Sequence, residues 1–327
     1  MDKMPPAQVL WGMINSNVLA RCVQVVAEYG VADALAERPM TAEELAAQTG
    51  MNAGALRRIL RLLVAHEVFT QEGSLYRHTP VSELLRTDHP HSMRSFARMM
   101  NLPIFLKSFA GLTQVAKTGR PVMDFAGFME YFAAQPEESS IFNQAMADKS
   151  RSIIPAVLDA YDFSPFRVIA DIGGGRGHLL RDILEQTPTA SGILFDLPHV
   201  IREAAAHESV RLRLQPGDFF ADALPTADAY LLMEVVHDWN DEDSTRILAA
   251  IRRAAPSHAR LLIFEAIVSE APGPDFSKVL DVIMLAVTGG RERTPSEYEA
   301  LLSRTGFRLE RIITMPSQYS IIEAVVI

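Results

Sequence analysis

From residue 167 onward the chain repeats one pattern: a short apolar run, a turn, then a helical stretch. The runs are Val168-Ile169-Ala170, Gly192-Ile193-Leu194-Phe195, Ala229-Tyr230-Leu231-Leu232 and Arg260-Leu261-Leu262-Ile263-Phe264. They are apolar at successive positions, as strands buried on both faces must be, and such strands need a parallel sheet with helical crossovers. The expected fold class is therefore α/β, with a Rossmann-like domain in the C-terminal half. Residues 309–314 and 319–326 read as two more strands with no helix between them. They are expected to form an antiparallel hairpin at the sheet edge.

The first part of the chain has a different texture. Val9, Leu10, Met13 and Ile14 recur at helical spacing, as do Val23, Val26 and Ala27. Thr41 and Glu44 have the spacing of a capping box, and Leu56, Ile59, Leu60 and Leu63 line one face of a helix over 53–65. A hairpin around Gly73 follows, giving the outline of a winged helix. At 327 residues two domains are expected. We place a helical winged-helix-like domain at 1–104 and the α/β domain at 105–327, the latter opening with a helical segment over 105–160.

Winged helices suggest DNA binding, and Arg57, Arg58 and Arg61 fall on the helix that would meet phosphate. The net charge of −9 and the nearby Glu43, Glu44, Glu67 and Glu72 argue against nucleic acid as a partner. The single cysteine, Cys22, can form neither an internal disulfide nor a zinc site. No secretory leader is visible at the N-terminus, and no apolar stretch approaches the ~20 residues that span a bilayer. A cytoplasmic location and no membrane association are expected.

Asp171-Ile172-Gly173-Gly174-Gly175-Arg176-Gly177 ends the first of the strands and leads into a helix. Glycines there let the backbone turn sharply and approach a ligand. A dinucleotide fingerprint would need glycine or alanine where this chain has His178. The next strand ends in Asp196, placed to bond a ribose diol, and a third ends at Gly217-Asp218-Phe219-Phe220, which offers a carboxylate and a ring to an adenine.

With these motifs stand His237-Asp238-Trp239 and Gly289-Gly290-Arg291-Glu292-Arg293-Thr294. Together the chain resembles the plant-type small-molecule O-methyltransferases, a family that includes caffeic acid and hydroxyindole methyltransferases and bacterial antibiotic-tailoring enzymes. The resemblance spans nearly the whole sequence. It implies S-adenosylmethionine as cofactor, S-adenosylhomocysteine as product, no metal, an aromatic small-molecule acceptor and a homodimer formed through the N-terminal domain. An apolar first helix suits that contact.

By the same resemblance Gly173 and Gly175 lie near the methionine part of the cofactor, Asp196 at the ribose, and Asp218 with Phe219 at the adenine. Met233 and Ser150 complete the cofactor set, Met233 standing where plant members often have lysine. His237 corresponds to the general base, since a phenol of pKa ~10 needs its proton removed. Glu265 interrupts an apolar strand, where a carboxylate is costly unless paired, and it and Glu292 would orient the imidazole. Asn101, Phe142, Met146 and Met284 would line the acceptor pocket. Some bacterial relatives use the same cofactor without methyl transfer, for hydroxylation or decarboxylation, and that alternative stays open at this level.

Overall fold

Thr41 and Glu44 close the expected capping box: the Glu44 amide donates to Thr41 Oγ1 at 3.2 Å and the Thr41 amide to Glu44 Oε2 at 2.8 Å. The box starts the helix Ala42–Thr49, and Gly50, in the left-handed region at φ 72°, ends it. Asn52 then caps Ala53–Ala65, whose Leu56, Leu60 and Leu63 are fully buried at helical spacing. Strands β1 (Phe69–Glu72) and β2 (Leu75–His78) follow as an antiparallel hairpin, with Phe69 opposite His78. The computed structural model describes residues 4–327.

These elements belong to one compact unit, made of residues up to 106 together with 132–151. A second unit contains 107–131 and 152–327. The expected division at 104/105 lies two residues from the end of the first segment. Residues 132–151, expected in the α/β domain, cluster with the first unit instead. Their helical periodicity reports an apolar face without reporting which core buries it.

At the N-terminus, Pro6–Ile14 and Ser16–Glu28 follow one another closely enough to count as a 23-residue span of mean hydropathy 1.2. This corrects the expectation that no stretch approaches membrane-spanning length. Asn15, Ser16, Asn17, Arg21 and Gln24 break the apolar run in the sequence and hide its total length. The span is little buried within its unit, and Leu10, Trp11, Met13, Ile14 and Val18 are all exposed.

In the second unit the four expected apolar runs are the strands β3 (Val168–Ile172), β4 (Ser191–Asp196), β6 (Ala229–Met233) and β7 (Arg260–Glu265), and the strand expected to end before Gly217 is β5 (Leu212–Pro216). The tail supplies β8 (Phe307–Thr314) and β9 (Ser320–Val326). The order across the sheet is β5-β4-β3-β6-β7-β9-β8. Strands β3 to β7 are parallel, while β9 runs antiparallel to both β7 and β8, as the edge hairpin required. Alternation along the strands feeds two cores. Ile169, Leu231, Leu262 and Phe264 face one layer; Ala170, Tyr230, Leu261 and Ile263 face the other.

Strand β3 has β4 on one side and β6 on the other, so the crossovers leave it in opposite directions. Ligands of open α/β sheets bind in the crevice outside the carboxyl ends at such a switch point. That is where the glycine-rich turn lies.

Candidate active site

The turn after β3 needs its glycines for conformation and for space. Gly173, Gly175 and Gly177 all have positive φ, of 70°, 59° and 72°. A Cβ on Gly174 would fall 2.4 Å from the Asp171 carboxyl and 2.6 Å from Leu194. The turn is pinned to the next strand, because the Gly173 amide donates to the Phe195 carbonyl at 2.8 Å and the Gly175 amide to Asp196 Oδ2 at 2.8 Å. Burial pushes the Asp196 carboxyl up, and the amides of Gly175 and Leu197 hold it down. Asp171, buried behind the turn, is pushed up to about 7 by burial and by the charge of Asp196.

Above the turn lies a cavity of about 610 Å³ walled by Gly173, Gly175, Asp196, Asp218 and Phe219, which are five of the seven expected cofactor residues. Asp218 is held in a local turn, its Oδ1 accepting from the Phe220 amide at 2.8 Å. Phe219, Phe220 and Phe125 pack around Trp239, with ring centroids 4.8–5.9 Å apart, and form the aromatic side of the cavity. Six carboxylates line it (Asp124, Asp196, Asp218, Glu234, Asp238 and Asp243) and, among the described residues, no lysine, arginine or histidine. A diphosphate would meet only like charge here. A ligand of net positive charge, with a sulfonium and an ammonium to set against these carboxylates, would be attracted, so the residues present fit S-adenosylmethionine. A second cavity of about 680 Å³, bounded by Ile267, Ser277 and Tyr319, contains none of the expected site residues.

One turn of 3₁₀ helix, Val236–Asp238, follows β6 and carries His237, which is 4% exposed. The ring Nδ1 lies 2.6 Å from Glu292 Oε1. A carboxylate only accepts, so Nδ1 carries the hydrogen and Nε2 is the basic nitrogen. Nε2 is 3.9 Å from Asp238 Oδ1, on a residue that lines the cavity. Burial lowers the His237 pKa, but the charge and hydrogen bond of Glu292, with smaller contributions from Asp238 and Glu265, raise it more, to about 10.

Glu265, at the end of β7, is fully buried and does something other than expected. Its Oε1 accepts the backbone amide of His237 at 3.0 Å, and its Oε2 accepts the Tyr298 hydroxyl. It therefore anchors the turn, while Glu292 alone of the two carboxylates bonds the ring. Burial pushes the Glu265 carboxyl up to about 7 against the opposing pull of His237.

The segment carrying Glu292 is packed tightly on the same turn. The Arg291 amide donates to the His237 carbonyl at 2.8 Å, and a Cβ on Gly290 would stand 2.0 Å from that carbonyl oxygen. Arg293, fully buried, donates to the carbonyls of Val236 (3.2 Å) and Trp239 (3.0 Å), and to Asp241 Oδ1 from Nε at 3.0 Å and Nη2 at 2.9 Å.

The remaining expected residues are dispersed. Met233 packs half-buried against the core, and its neighbour Glu234 reaches the cavity wall instead. Asn101, which accepts from Arg21, and Phe142, whose ring stacks on Phe132 at 4.5 Å, lie in the first unit with Met146 and Ser150. Met284 lies half-buried on the helix Phe276–Val287 of the second unit. Sequence reasoning missed Glu234, Arg293 and Tyr298. Arg293 stood within a motif already singled out, but its neighbours Val236, Trp239 and Asp241 lie more than fifty positions away.

Comparison with known proteins agrees with this geometry. Residues 113–308 match the O-methyltransferase domain model and residues 11–88 the O-methyltransferase dimerisation domain model. The phenazine O-methyltransferase PhzM of Lysobacter antibioticus is 39% identical over 98% of this chain and 96% of its own length. The methyltransferase of calicheamicin biosynthesis, solved with S-adenosylhomocysteine, superposes with a TM-score of 0.89 at 33% identity over 100% of both chains. Human N-acetylserotonin methyltransferase, solved with S-adenosylmethionine, gives 0.88 at 28% identity over 99% of each. With cofactor-bound relatives matched end to end, and a cavity whose charge suits the same cofactor, this chain belongs to the S-adenosylmethionine-dependent O-methyltransferases.

Proposed function

We propose that this enzyme methylates an aromatic hydroxyl of a small natural product, with His237 as the general base. The observation that carries this reading is the 2.6 Å bond between His237 Nδ1 and Glu292, on a turn adjoining the acid-lined cavity. S-adenosylmethionine, when bound, supplies a methyl group on a positively charged sulfur. Gly173, Gly175, Asp196, Asp218 and Phe219 hold it. His237 Nε2 takes the proton of the attacking hydroxyl, and Glu292 stabilises the imidazolium that forms. Glu265 is a positioning residue that acts through the His237 amide. A cation in the cavity disfavours a second positive charge nearby and so favours the neutral imidazole the step requires.

Relatives named for phenazine, mitomycin and aminohydroxybenzoate chemistry support a phenolic acceptor. Incubation with methyl-labelled cofactor and a panel of phenolic polyketides, phenazines and quinones is expected to transfer label to oxygen, with no loss in the presence of chelator. Cofactor binding without transfer to any member would favour a non-methylating reaction.

Glu292→Gln gives a signed pH test. Burial lowers the His237 pKa and Glu292 is the largest influence raising it. Removing that charge should move the acid-side midpoint of kcat/KM to lower pH by more than about one unit. The maximal rate should fall ~10-fold or more, because the imidazolium loses its partner. An unmoved midpoint would remove Glu292 from the role.

The dimerisation domain and the exposed apolar face of the first two helices support a homodimer. Arg57 is paired with Glu43, and Arg77 with Glu72 at 3.0 Å, so part of the positive charge a DNA-binding surface would need is already neutralised.

A further inference from the structure

Glu234 follows β6 directly and has φ 55°, in the left-handed region that glycine or asparagine occupies more readily. Nothing in the local chain demands the conformation. It persists because both ends of the residue are held. The Glu234 amide donates to the Phe264 carbonyl at 3.2 Å, and its Oε1 accepts the hydroxyl of Tyr319, a side chain only 5% exposed, at 2.9 Å. Strained backbone of this kind is stored where a side chain must be aimed. Here the residue lines the cofactor cavity.

The sheet order says which part of the cofactor it meets. Reading across the carboxyl ends of β5, β4, β3 and β6, the cavity residues are Asp218, Asp196, Gly173 and Glu234. With the base at Asp218 and the ribose at Asp196, the chain leaving the ribose runs toward β3 and β6. Asp171 is paired with Leu231, so Gly173 is level with Met233 and Glu234 stands one residue further out. From β4 to β6 is two strand spacings, about 10 Å, comparable with the reach of the methionyl group. The group that arrives there is an α-amino acid, and its ammonium needs an anion.

We propose that Glu234, held by Tyr319, binds the α-ammonium of the cofactor. The assignment rests on S-adenosylmethionine occupying this cavity. A carboxylate accepts about four hydrogen bonds, so the bond from Tyr319 is compatible with a second donor on the same group.

Calorimetric titration of wild type and Glu234→Gln with three probes tests this. S-adenosylmethionine has sulfonium and ammonium, S-adenosylhomocysteine keeps only the ammonium, and 5′-methylthioadenosine has neither. The variant keeps an oxygen for Tyr319 and should melt as wild type does. S-adenosylmethionine and S-adenosylhomocysteine are expected to weaken together by about 10-fold or more, with 5′-methylthioadenosine changed less than about twofold. Tyr319→Phe should produce a smaller change with the same pattern. Equal weakening of all three probes, weakening of S-adenosylmethionine alone, or no change would each overturn the assignment. Failure of wild type to bind either amino-acid-bearing probe would instead overturn the cofactor site itself.

Discussion

His237→Ala is expected to lower methyl transfer by ~100-fold or more while leaving S-adenosylmethionine affinity within about twofold of wild type. The two effects separate because the cavity wall includes Val235 and Asp238 but lacks the imidazole. The ring is nearly inaccessible, and its 2.6 Å contact is to Glu292, which is not among the residues lining the cavity. Removing it takes away the proton acceptor and leaves the glycine turn, Asp196 and Asp218 untouched. Glu292 would then be buried without its partner. Its Oε2 already lacks a hydrogen bond among the described residues, so some loss of stability accompanies the loss of rate. Single-turnover methyl transfer together with calorimetric cofactor titration measures both quantities. Wild-type turnover in the variant would remove His237 as base.

Arg293→Met should have the largest effect on stability. The guanidinium is fully buried and spans the catalytic turn, donating to the carbonyls of Val236 and Trp239 on either side of His237-Asp238. Methionine fills much of the space but donates nothing, so both carbonyls lose their charged donor and keep the weaker bond from the Ser244 hydroxyl, at 3.3 Å to each. Asp241 is 42% exposed and can rehydrate, which limits the electrostatic penalty. The expected cost is about 3 kcal/mol, from the ~1.5–3 kcal/mol of each hydrogen bond made by a charged donor. In a unit of this size that corresponds to a fall in Tm of roughly 6–12 °C. Loosening the turn also frees the imidazole, so kcat should fall ~10-fold or more with the cofactor Kd little changed. Lysine, a single point donor, should recover only part of either loss. A variant that melts like wild type and turns over normally would show that the turn holds itself.

Much of this molecule could be read before its fold was known. The strands β3, β4, β6 and β7 stand where the apolar runs stood, and Thr41 closes the capping box its spacing announced. Asn240 caps the helix after the catalytic turn by accepting the Asp243 amide at 2.9 Å. Its neighbour Asp241 turns instead to Arg293. The identities of His237, Glu265 and Glu292 came from motif resemblance, and the structure brings all three together around one turn.

What the sequence determined by itself is whatever depends on a few adjacent residues. Periodicity sets which face is apolar, a side-chain oxygen caps its own helix, and glycine permits a left-handed turn. The tertiary structure decided the rest. Two carboxylates, 28 and 55 positions from His237, were equivalent partners for its ring on sequence alone. The register of β7 against β6 gave the backbone amide to Glu265, and the loop packed on the turn gave the ring to Glu292. The register of β6 against β3 carried Glu234, rather than Met233, to the cavity wall, and the packing of remote segments placed 132–151 in the first unit. Contacts across such separations depend on how strands pair and helices pack, and no local pattern of residues encodes that distance.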